Sequence, residues 1–119
     1  MNEKIIWDFL YGKLNNEYGV AGLMGNLYAE SKLDPTNLQN SANKRLNITD
    51  EEYTFLVDGD FYPDFITDKA GYGLVQWTYW NRKKALKEYA KERRTSIGDL
   101  SMQLDFLWKE LSEGYPGLV

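Results

Sequence analysis

The chain has 119 residues, 43% of them hydrophobic, and a formal net charge of −4, which suits one compact domain with a single core. It contains no cysteine and no histidine, so disulfides, thiol nucleophiles, Ser-His-Asp triads and the usual zinc hydrolase sites are excluded. Acid–base chemistry near neutral pH then falls to a tuned carboxylate or lysine, and no metal or organic cofactor is implied. No apolar run is long enough to span a membrane, and Asp8 interrupts the apolar start too soon for a secretory signal.

The first helix is expected over 3–14, with Ile6, Trp7, Phe9, Leu10 and Leu14 turned inward. A second follows over 17–30, where Val20, Leu23, Met24 and Leu27 recur at i, i+3, i+4 and i+7 on one face. Glu30 lies on the flank of that face. Pro35 disfavours helical geometry at Asp34, and Ser31 and Asp34 suit a turn, so the helix should end close to Glu30. A carboxylate placed there is held partly out of water at the negative end of the helix dipole, and both effects disfavour its charged form. The plain alternative is a solvated helix-end carboxylate.

Residues 31–48, rich in Asn, Ser and Pro, read as a long ordered loop, a kind of segment that is often functional. Thr49-Asp50-Glu51-Glu52 is a capping box starting a short helix through Val57, which Asp58-Gly59-Asp60 ends. The run FYPDFITDKAGYGLVQWT reads as a loop or short hairpin. Within it Gly71 and Gly73 allow close backbone approach or positive φ, and Gln76 alternates with Val75 and Trp77 at strand spacing. A plain glycine-rich turn leading into a core strand fits the same residues. The segment lacks the Lys-Ser/Thr of a phosphate-cradling loop.

Thr78 can cap a helix over 79–93 with Leu86, Tyr89 and Ala90 inward. This helix is basic, with Arg82, Lys83, Lys84, Lys87, Lys91 and Arg93, and Arg94 just after. The acidic balance of the chain favours a solvated face over a nucleic-acid surface. Ser96 and Asp99 cap a last helix whose Leu100, Leu104, Leu107 and Leu111 form an apolar stripe. Tyr (9) and Trp (4) together exceed Phe (5), and aromatics with a polar edge suit a sugar groove or a protein interface.

Taken together, GNLYAES followed by GYGLVQWT resembles the lysozyme-like domain of phage tail lysins and related bacteriophage endolysins. More distantly it is similar to goose-type lysozymes and soluble lytic transglycosylases. The likeness covers nearly the whole chain, including LDPTNLQNS, TDEEY and SIGDL with MQLDFLWKEL. It implies a mainly α, α+β lysozyme-like fold: one domain over 1–119, a bundle of about five helices with a small hairpin or loop region lining a glycan cleft. It also implies cleavage of the β-1,4 bond between N-acetylmuramic acid and N-acetylglucosamine in peptidoglycan.

In those families a Glu-Ser pair at a helix end, here Glu30 and Ser31, supplies the catalytic acid. The downstream segment, here Gly73, Leu74 and Gln76, lines the groove. Asp68 stands where goose-type enzymes carry an aspartate that assists an attacking water. The resemblance places Trp77 and Tyr79 where a sugar face stacks, Tyr72 and Tyr28 as further cleft contacts, and Trp80 in the core.

With Asp68 as base the reaction inverts the anomer, which needs carboxyl groups about 6.5–9.5 Å apart. Without a second carboxylate, internal attack by the muramyl 6-hydroxyl gives the anhydro product of a lytic transglycosylase, and Glu30 acts as acid and then base. The sequence departs from the goose-type pattern at Trp77-Thr78, where an aspartate would follow the glutamine. It departs from many tail homologues after Tyr115-Pro116, where those continue. The chain is therefore read as a domain shortened at its C-terminus and part of a larger tail protein, acting on the cell wall from the virion. The partners expected are peptidoglycan strands, with no nucleic acid and no membrane insertion. A module that grips peptidoglycan or builds a tail without cleaving is the rival reading.

Overall fold

The computed structural model describes residues 2–114; Tyr115-Pro116 and the end of the chain, where the shortened C-terminus is expected, lie outside them. Helices α1 (Asn2–Leu14) and α2 (Glu17–Ser31) pack on each other, within about a residue of their expected limits. Ile6 and Leu10, one turn apart, bury the inner face of α1, and Val20 and Leu27 bury that of α2. Trp7, Phe9, Leu14, Leu23 and Met24 pack half-buried around them. The Asn16 side chain caps α2 by accepting from the amides of Tyr18 and Gly19. At the other end Lys32 and Leu33 both take the left-handed conformation (φ 55° and 64°), which stops the helix just past Glu30 and Ser31.

The segment 31–48 is not all loop, because it contains helix α3 (Asn40–Leu46). Only Ala42 of this helix is buried, so the sequence carries no apolar stripe from which to read it. Helix α4 (Asp50–Asp58) starts at the expected capping box: the Thr49 hydroxyl accepts from the Glu52 amide and the Glu52 carboxylate from the Thr49 amide. Thr49→Ala is expected to cost about 1 kcal/mol, read as a lower urea midpoint at unchanged m-value.

A 3-10 turn (Pro63–Ile66) leads to helix α5 (Trp80–Glu92), which packs on that turn and on the last helix, α6 (Leu100–Gly114). Thr78 does not cap α5. Its hydroxyl donates back to the Gln76 carbonyl at 2.8 Å, and the helix begins two residues on with no side-chain cap. Asp99 does cap α6, accepting from the Met102 amide, while Ser96 is drawn to the Asp58 carboxylate instead. In the leucine stripe of α6, Leu104 and Leu107 are buried, and Leu100 and Leu111 pack half-buried beside them.

The basic run on α5 is not a uniform solvated face. Lys83 is fully buried, Arg82 pairs with Glu110, Lys87 and Lys91 converge on Asp60, and Arg93 pairs with Asp105. The described residues form six α-helices and no sheet; in the run expected as a loop or short hairpin, only two isolated antiparallel bridges form, Leu38 with Tyr72 and Tyr72 with Trp77. The result is a mainly α bundle with a small turn region. No helix among the described residues is long and apolar enough to cross a membrane.

Candidate active site

Asn37 fastens the two key segments together. Its side-chain amide donates to the Ser31 carbonyl at the end of α2 (3.0 Å). Its own carbonyl accepts from the Gly73 amide (2.9 Å) and from Gln76 Nε2 (2.8 Å). Gln39 adds a second tie, its amide donating to the Gly71 carbonyl and its Oε1 accepting from the Gly71 amide.

Between Tyr72 and Trp77, which exchange backbone hydrogen bonds of 3.1 and 2.9 Å, residues 73–76 form a tight turn. Gln76 is therefore not in a strand. At φ 56° its side chain folds back to donate to the Gly73 carbonyl. Both glycines serve the turn itself. Gly73 sits at φ +84°, and a Cβ on Gly71 would lie 2.8 Å from the Gln76 Oε1.

The turn is anchored from α6 by Gln103, which is buried. Its Oε1 accepts from the Leu74 amide (2.9 Å), and its Nε2 donates to the carbonyls of Pro35 and Ile97 (2.7 Å each). Gln103→Met leaves those backbone groups unpaired in the core. It is expected to cost about 3 kcal/mol in urea unfolding, the scale of a buried unsatisfied polar group.

Beside the turn, Glu30 opens onto a pocket of about 430 Å³ lined also by Gln39, Lys69, Gly71, Gln76 and Thr78. It is the one carboxylate among those lining residues, and it has no hydrogen bond or ion pair among the described residues. The expected partial desolvation is absent, because Glu30 is exposed. The left-handed turn at Lys32 and Leu33 tucks Leu33, not Glu30, into the edge of the core.

Several residues expected at the groove are core residues. Tyr72, Leu74 and Trp77 are fully buried. Tyr72 packs on Tyr53 and Phe65 with its hydroxyl bonded to Thr54. Trp77 packs on Phe106 and donates its indole N–H to Glu110 (2.9 Å). Ser31 is buried, its hydroxyl donating to the Leu27 carbonyl. Tyr28 and Tyr79 are exposed. Trp80, expected in the core, is exposed too, since it opens α5 ahead of the buried stripe of Lys83, Leu86 and Ala90.

Asp68 is elsewhere. Its side chain is only 3% exposed, and both carboxylate oxygens are saturated. Oδ1 accepts from Lys83 Nζ (2.8 Å) and the Ala70 amide (2.9 Å), and Oδ2 from the hydroxyls of Tyr53 (2.7 Å) and Tyr62 (2.9 Å). Lys83 also donates to the Ala70 carbonyl and lies 4.3 Å above the Phe65 ring. Burial pulls the Lys83 ammonium below the ordinary lysine range, and Asp68 opposes that pull. Burial, then the bond to Asp68, pushes the Tyr53 and Tyr62 hydroxyls above the ordinary phenol range, so both remain donors at neutral pH. A wider cleft of about 590 Å³ between α5 and α6 also holds carboxylates, but they are committed: Glu110 to Arg82 and Trp77, Glu113 to Lys109.

Asn37, Gln39, Gln103 and Lys83 escape a reading by motif. For Gln103 a signal exists: it falls between Leu100 and Leu107 at helical spacing, a polar residue on an apolar stripe.

The six-helix, mainly α architecture without a sheet among the described residues is consistent with a lysozyme-like bundle. The chain belongs to the phage tail lysozyme family, whose family model matches residues 1–119. No curated protein and no solved structure matches it. Membership suggests a peptidoglycan-lytic enzyme acting on the cell wall from the virion.

Proposed function

We propose that the protein cleaves the β-1,4 bond between N-acetylmuramic acid and N-acetylglucosamine, with Glu30 as general acid. The observation that carries this reading is the position of Glu30, an uncommitted carboxylate facing a pocket otherwise lined by Gln39, Lys69, Gly71, Gln76 and Thr78. Amides and a hydroxyl are suited to the hydroxyl and acetamido groups of a sugar. A glycan strand laid over the pocket would bring its glycosidic oxygens against Glu30. Glu30 then gives its proton to the glycosidic oxygen as the C1–O bond breaks and the muramyl ring takes on oxocarbenium character.

The saturated Asp68 favours the internal route for the second half of the reaction. To act as base it would have to leave Lys83, Tyr53, Tyr62 and the Ala70 amide. In the internal route the 6-hydroxyl of the same sugar attacks C1 and passes its proton to the Glu30 carboxylate. The product is a 1,6-anhydromuramyl end, and Glu30 is restored to its acid form. Asp68 in this reading is a structural group. A suspension of Gram-positive cell walls treated with the purified protein is expected to clear. Folded protein that leaves the turbidity unchanged would instead indicate a peptidoglycan-binding or structural tail module.

A further inference from the structure

A second cavity, of about 420 Å³, adjoins the Glu30 pocket and is walled by Ile66, Thr67, Lys69, Thr78, Tyr79 and Trp80. Lys69 and Thr78 border both cavities. Tyr79 and Trp80 are 72% and 62% exposed, an apolar wall that nothing in the described residues covers. Lys69 is exposed and has no ion pair or hydrogen bond among the described residues, although most of the cations along α5 are paired with acids.

Lys69 sits at φ 60°, in the left-handed region, as do Lys32 and Arg94 elsewhere in the chain. Both neighbours are pinned: the Asp68 carbonyl accepts from Arg45, the Ala70 amide donates to the Asp68 carboxylate, and the Ala70 carbonyl accepts from Lys83. The buried Asp68–Lys83 pair thus fixes the strap that holds Lys69 on the rim between the two cavities.

Resting on the glycan-cleaving reading, the adjoining cavity, which shares Lys69 and Thr78 with the Glu30 pocket, offers the next sugar of a strand engaged at Glu30 a place to sit. We propose that Lys69, Tyr79 and Trp80 form a subsite for a muramyl residue, the sugar ring lying on the two aromatic faces and its acidic substituent pairing with Lys69. That acid is either the lactyl carboxylate or a carboxylate of the peptide it carries. N-acetylglucosamine has neither, so Lys69 distinguishes the two alternating sugars and sets the register of the strand over Glu30.

The test uses the full chain carrying Glu30→Gln, titrated by calorimetry with three tetrasaccharides. One is an N-acetylglucosamine tetramer, one an alternating muramyl tetramer with free lactyl carboxylates, and one the same tetramer bearing peptides. At low salt a carboxylate-bearing ligand is expected to bind about three- to fivefold more tightly than the plain tetramer, the scale of an exposed ion pair, and salt should erode the difference. A preference already seen with the lactyl form assigns that carboxylate; one seen only with the peptide form assigns the peptide. Lys69→Gln should erase the preference, and Trp80→Ala should weaken all three ligands about tenfold.

Equal affinity for the three ligands, a preference that survives Lys69→Gln, or no binding at all would overturn the subsite. Wall clearing by the wild type, and its loss in Glu30→Gln, tests the cleavage reading separately. The subsite can therefore fail while that reading stands.

Discussion

Glu30→Gln is expected to lower the rate of wall clearing by about 10²–10⁴-fold, the contribution of a positioned general acid, while leaving the unfolding midpoint essentially unchanged. The amide keeps the shape of the side chain but has no acidic proton to give the glycosidic oxygen. Nothing in the fold depends on the carboxylate, because it makes no bond among the described residues and is exposed. Exposed substitutions of this kind usually change stability by less than about 0.5 kcal/mol. Turbidimetry alongside a thermal melt reads both quantities. Equal clearing rates for the variant and the wild type would remove Glu30 from the chemistry.

Asp68→Ala is expected to behave in the opposite way, losing about 3–5 kcal/mol of stability by leaving the Lys83 ammonium buried without its counter-charge. That loss is a large fraction of the total stability of a domain this size. Whatever activity falls away should return on cooling to where the variant is folded. Replacing both partners with apolar groups of similar size, Asp68→Leu with Lys83→Met, should cost less than the two single changes combined, since no unpaired charge remains. Urea unfolding of the four proteins measures this coupling. A variant that stays fully stable yet is inactive at every temperature would instead mark Asp68 as a base.

Much of this architecture is legible in the sequence, and the failures have physical causes. Helices α1, α2, α4 and α6 announce themselves by apolar spacing or by caps, and the end of α2 follows from the turn residues around Pro35. Helix α3 does not, because one buried alanine makes no pattern. The aromatics are harder. Trp77 and Trp80 lie three residues apart, yet Trp77 is sealed against Phe106 and Trp80 is open, a difference set by tertiary packing.

Asp68 resembles a groove carboxylate until its partner is known, and that partner hides in a run of lysines and arginines. The register of Lys83 with Leu86 and Ala90, at i, i+3 and i+7, nonetheless puts it on the buried stripe of α5. Glu30 lies in the last turn of α2, as the apolar spacing and the turn residues predict. Its exposure could not be read, because a flank position leaves open whether Glu30 or Leu33 fills the edge of the core.

The most direct measurement is the mass of the fragments released from purified peptidoglycan. If Glu30 works without a second carboxylate, the glycan fragments should end in 1,6-anhydromuramyl residues, one water lighter than hydrolytic products and inert to borohydride reduction. Reducible muramyl ends would show that water attacks instead and that another group activates it. Fragments cut only within the peptides would contradict glycan cleavage altogether.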